Sequence, residues 1–100
     1  MNDKKNTTKE LDSDNLWKTV LQVKDMEEAR NFFRDLLTEK EIEELSMRWK
    51  VVNMLASNIN YKEIEKKTGM SSTTIARIQK WLKGGKGGYR LILDRQRKGK

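Results

Sequence analysis

Between residues 68 and 82 the chain reads TGMSSTTIARIQKWL, which places four small hydroxyl residues ahead of a guanidinium and an ammonium at helical spacing. The chemistry open to such a set is recognition rather than bond-making. Ser71, Ser72, Thr73 and Thr74 can donate to phosphate oxygens from a helix N-terminus, which is itself an anion site. Arg77 can make a bidentate contact to a guanine edge, and Lys80 can pair with a phosphate. Lys62, Lys66 and Lys67, just upstream, suit phosphates flanking the same groove. Taken singly, each of these residues also reads as an ordinary cap or a solvated charge, Thr74 above all. Their coincidence on one unit favours the reading of double-stranded DNA.

Helix geometry sorts these side chains. With Ile75 at the centre of a buried stripe, Ile78 and Leu82 fall within about 60° of it. Thr73, Arg77 and Lys80 then fall within about 40° of the opposite direction, and Ser72 and Ala76 lie on one shoulder. The outward face is small at its start and cationic further on.

Other chemistries are poorly supplied. The 100 residues contain no histidine and no cysteine, so the usual general base, a thiolate and a soft metal site are all missing. The carboxylates Glu39, Glu41, Glu43 and Glu44 read as a capped, solvated helix start rather than an acid/base pair. The paired glycines of GGKGG are not followed by a Walker-type lysine–hydroxyl pair. An enzyme is not expected, and neither a cofactor nor a metal is implied. Trp49 reads as core. Trp81 reads as packing at the stripe's edge, although tryptophans also stack on bases.

The charge is one-ended. Residues 1–60 carry 10 basic and 12 acidic groups, whereas residues 61–100 carry 12 and 3, so the whole net charge of +7 resides in the last 40 residues. A polyanion is the natural partner of such a field. No apolar run approaches a membrane span and the N-terminus has no signal-peptide core, so a cytoplasmic protein without membrane contact is expected.

The elements that must position the site are helical. Proline is absent, and Leu, Glu and Lys abound. The expected class is all-α, with five to six helices. Residues 1–13 are polar and aperiodic and read as a flexible arm. Residues 14–83 form the helical domain. In it Asp14 caps a first helix bearing Leu16, Trp17, Val20 and Leu21, and Asp25 caps a second with Phe32, Phe33 and Leu36. Thr38 and Glu41 have capping-box spacing at the start of a long third helix. That helix carries an inward stripe of Ile42, Leu45, Trp49, Val52 and Ala56. Asn58 is a left-handed stop, and Asn60 opens a fourth helix with Tyr61 and Ile64 inward. The turn at Gly69 and the Ser71 cap then complete a helix-turn-helix over residues 60–83. Residues 84–100 read as a Gly-rich hinge and a basic tail. Through that hinge Arg90, Arg95, Arg97 and Lys98 would reach a phosphate or minor groove, with Tyr89, Ile92 and Leu93 as a docking turn. With 35% apolar residues the core is thin, which favours sharing it with a second copy.

The motifs LT, EI, R, YKEI, TG, SSTTIAR and GGY, over residues 37–89, resemble the Trp repressor superfamily, and within it the YerC/YecD group of small helix-turn-helix proteins. The resemblance implies an intertwined all-helical homodimer that binds a palindromic operator as a transcriptional repressor. It also implies that Arg48 and Arg77 match two arginines that hold an effector in tryptophan-responsive members, and that Thr38 matches a threonine at the start of the long helix. Ile78 and Trp81 stand where those members have glycine and serine. Filling of the slot by these bulky groups, and hence no response to L-tryptophan, is the expectation; any effector is unknown. The competing reading is a protein-interaction or assembly module that keeps the helix-turn-helix shape without specific DNA binding.

Overall fold

The computed structural model describes residues 8–99 and, over them, consists of six α-helices with no strand. The helices are α1 (Thr8–Val20), α2 (Met26–Leu36), α3 (Glu39–Ala56), α4 (Tyr61–Thr68), α5 (Ser72–Gly84) and α6 (Gly88–Lys98). They fall into two compact units divided between Glu39 and Lys40.

In the first unit, α1 begins at Thr8, six residues before the expected cap. Asp14 is therefore a helix-interior residue, and the helix includes residues 8–13 of the expected arm. Residues 8–13 include Lys, Glu and Leu and no glycine or proline, so helix formation needs no apolar stripe to announce it. The rest of the expected arm, residues 1–7, lies outside the described residues. Asp25 caps α2 as expected: its Oδ1 accepts the Glu28 amide at 2.9 Å, and Glu28 Oε1 accepts the Lys24 amide at 3.0 Å. The Phe32 and Phe33 rings meet edge to face at 5.2 Å. Arg34 closes the helix by donating to the Leu37 carbonyl at 3.1 Å and pairing with Glu39 at 3.5 Å. Neither α1 nor α2 buries a single residue.

The second unit holds the core. Val51 and Val52 from α3, Ile64 from α4 and Ile75 from α5 are fully buried, and Met54, Leu55, Ile78, Leu82 and Leu93 complete the cluster. The stripe expected along α3 is correct only in part. Val52 is buried and Trp49 and Ala56 pack against the core, but Leu45 is 47% exposed, and Val51, Met54 and Leu55 were not on the stripe. The buried residues of α3 all lie in its C-terminal half, the part that packs with the core cluster, so its periodicity alone could not say where burial stops. Tyr61, expected inward, is 37% exposed.

Local chemistry fixes the connections. Asn58 adopts φ 63°, and the amides of Asn58 and Ile59 return to Leu55 and Met54 at 3.0 Å each, stopping α3. Asn60 Oδ1 accepts the Glu63 amide at 2.9 Å and starts α4. Gly69, at φ 75°, ends it. Thr68 ties the turn by donating to the Ile64 carbonyl at 2.7 Å while accepting the Met70 amide at 3.1 Å.

The expected hinge and tail are instead a tight turn and a helix. Gly84 is the last residue of α5, Gly85 caps it, and Gly87 turns the chain through φ 88° into α6. Leu93 is buried in the core and Tyr89 packs against it, which docks α6. The glycines act by permitting the sharp reversal rather than by leaving the chain loose.

Candidate nucleic-acid interface

The site is built on α4 and α5. Ser71 holds the start of α5: its Oγ accepts the Thr74 amide at 3.2 Å and donates to Thr74 Oγ1 at 3.0 Å. Ile75, Ile78 and Leu82 are buried as the helix geometry requires. Their burial turns Ser72, Thr73, Ala76, Arg77 and Lys80 to the outside, where all five are exposed.

The expected site residues therefore divide. Ser72, Thr73, Arg77 and Lys80 share the open face of α5, ahead of which the first helical amides have no partner within the helix. Ser71 and Thr74 are committed to each other, and Thr74 is half-buried, so their first task is to shape the helix start. On α4, Lys62 and Lys66 are exposed, while Lys67 pairs with Glu63 at 3.4 Å. That pair is half-exposed and weak, and a phosphate would compete for Lys67 readily.

Arg48 of α3 and Arg77 of α5 line one cavity of about 360 Å³, together with Thr74, Ile78, Trp81 and Tyr89. The expectation that Ile78 and Trp81 fill this slot is not met. Ile78 is buried at 4% exposure, but Trp81 stands 54% exposed at the rim, so the two wall the cavity and leave it open. Trp81 therefore does not take the packed position its place at the edge of the stripe suggests. Trp81 lies about 120° around α5 from Ile75, off the stripe formed by Ile75, Ile78 and Leu82, and so is left on the solvent side. Tyr89 is the residue that sequence reasoning placed elsewhere. Its ring lies 6.0 Å from that of Trp49, because the glycine turn folds α6 back. Among the described residues, no group of three or more acidic side chains could hold a metal ion. No helix among them is long and apolar enough to cross a membrane.

Comparison with known proteins gives consistent matches. The family model described as Trp repressor protein matches residues 11–97. The uncharacterized Bacillus subtilis protein YerC is 42% identical over 87 residues, spanning 87% of this chain and 82% of its own. A crystal structure of a TrpR like protein from Eubacterium eligens superposes with a TM-score of 0.80 at 37% identity, covering 95% of each chain. A solved Staphylococcus aureus chain gives the same TM-score and identity over 87% of each.

Proposed function

The chain belongs to the Trp repressor protein family, a family of DNA-binding regulators rather than enzymes, and from that premise we propose that it is a sequence-specific transcriptional repressor that binds a palindromic operator as a homodimer. The observation that carries this reading is the exposure of Thr73 and Arg77 on a helix whose isoleucines are buried. That face is small where it must approach base edges and cationic where it must meet phosphates.

In this reading Ser72, Thr73 and Arg77 face the bases, while Lys62, Lys66, Lys67 and Lys80 neutralise phosphates. Ser71 and Thr74 keep the helix start in shape. Two copies present two reading helices to successive major grooves, so half-sites lie about 34–36 Å apart. The absence of any buried residue in α1 and α2 supports a shared core, because Trp17, Met26 and Leu36 stay exposed within one chain. The protein works in the cytoplasm without a membrane.

The cavity between Arg48 and Arg77 is the effector site of this reading. We infer that L-tryptophan is not its effector: Ile78 and Trp81 leave the cavity open but narrow it with apolar walls at the positions where the resemblance gives tryptophan-responsive members glycine and serine. The deciding experiment selects bound duplexes from a random pool. A palindrome with half-sites one helical turn apart is expected; recovery of no preferred sequence overturns the reading in favour of an interaction module.

A further inference from the structure

We propose that the turn between α5 and α6 docks a second stretch of DNA phosphate backbone through Lys83, Lys86 and Arg90. The proposal rests on the DNA-binding reading and widens the footprint beyond the faces of α4 and α5. Residues 66–93 hold seven basic side chains and no acidic one. Four of the seven, Lys66, Lys67, Arg77 and Lys80, belong to the interface on α4 and α5. The other three continue it without an intervening acid, and all three are exposed. Among the described residues none of them pairs with a carboxylate.

Helix electrostatics set two of these cations apart from ordinary solvated ones. Lys83 lies in the last turn of α5, where a cation suits the free carbonyls. Arg90 is in the opposite situation. It lies in the first turn of α6, which has no acidic residue, and the N-cap Gly87 offers no side chain to the free amides. The start of a helix is its positive end, so a guanidinium there, with Lys86 just ahead of the cap, is repelled by the dipole. No anion among the described residues relieves this. A phosphate does: its oxygens accept from the first amides of α6 and pair with both cations.

Position selects the far wall of the groove. With 13 residues, α5 is about 20 Å long, whereas the major groove is about 12 Å wide. Lys62, Lys66 and Lys67 stand by the start of α5, and the turn stands at its end. Phosphates met from the two ends of the helix therefore lie across the groove from each other. Arg90 keeps its place relative to α5, because Leu93 is buried and Tyr89 packs against the core. At Gly84 and Gly88, a Cβ would meet no atom within 4 Å, so the turn is open to close approach by another backbone.

Binding of the full chain across a salt series tests this, with a selected operator and a random duplex as probes. The combined variant Lys83→Gln, Lys86→Gln, Arg90→Gln should bind both about tenfold more weakly or worse, with a salt slope shallower by about 0.9 for each lost phosphate contact. Its base preferences should match the wild type, because phosphates carry no sequence. Lys86→Gln alone, at an exposed turn position, should show about one third of the change in slope. Lys9→Gln, Lys18→Gln, Lys24→Gln together remove the same charge from exposed positions of the first unit and should leave the slope as it is. An equal loss in that second combination overturns the proposal, and so does a changed base preference in the first. A wild type that binds no duplex overturns the DNA-binding reading and this proposal together. A wild type that selects a palindrome, beside a combined variant that keeps the full slope, overturns this proposal alone.

Discussion

Ser71 Oγ accepts the Thr74 amide at 3.2 Å and donates to Thr74 Oγ1 at 3.0 Å, so two of the four hydroxyls that open α5 are turned toward each other. Ser71→Ala should therefore act first on stability. A cost of about 1 kcal/mol is expected for a lost N-cap. Thermal unfolding measures it; an unchanged midpoint would mean that the cap contributes nothing.

Arg77 and Lys66 should separate by the kind of loss they produce. Arg77→Ala should cost roughly 1–3 kcal/mol of binding and relax preference at one base position. Lys66→Ala should weaken all duplexes alike and lower the salt slope by about one phosphate. Binding of selected and random duplexes across a salt series checks both. If the selection profile of Arg77→Ala matches the wild type, Arg77 does not read bases.

The turn between α4 and α5 depends on one backbone conformation. At φ 75°, Gly69 has open space around it, so a methyl group there clashes with nothing yet still strains the chain. Gly69→Ala should cost about 1–2 kcal/mol for that reason. Ile64→Ala, at a fully buried position, should cost about 2–5 kcal/mol. Denaturant titration of the two variants should rank them in that order.

A shared core makes stability depend on concentration. If α1 and α2 bury their apolar faces only against a second copy, the melting temperature must rise with protein concentration. Melts over a hundredfold concentration range test this, and a constant midpoint would indicate a self-sufficient monomer.

Calorimetry with free L-tryptophan addresses the Arg48–Arg77 cavity. No heat of binding is expected at micromolar ligand; saturable micromolar binding would show that Ile78 and Trp81 leave room enough for the amino acid.

Much of the second unit was legible because its signals are local. Asn58, Asn60, Gly69 and Ser71 take the roles their side chains suit, and Ile75, Ile78 and Leu82 are buried at the spacing of one helical stripe. The outward face of α5 follows from those three residues alone. The start of α1 was not legible, because a helix of polar residues carries no periodic apolar mark. Nor was the extent of burial along α3, where Leu45 continues the stripe into solvent while Val51 lies inside.

The order of helices, the caps and the outward face of α5 were thus determined by the sequence itself, through contacts between residues three or four apart. Only the tertiary structure decided that GGKGG is a turn rather than a hinge, because the burial of Leu93 comes from packing against distant residues. It likewise decided that Trp81 stands half in water and that Arg48 and Arg77 line one cavity. Where a side chain at the end of a helix lies depends on what the chain does next and on which helices arrive from elsewhere. No periodicity within its own helix records that.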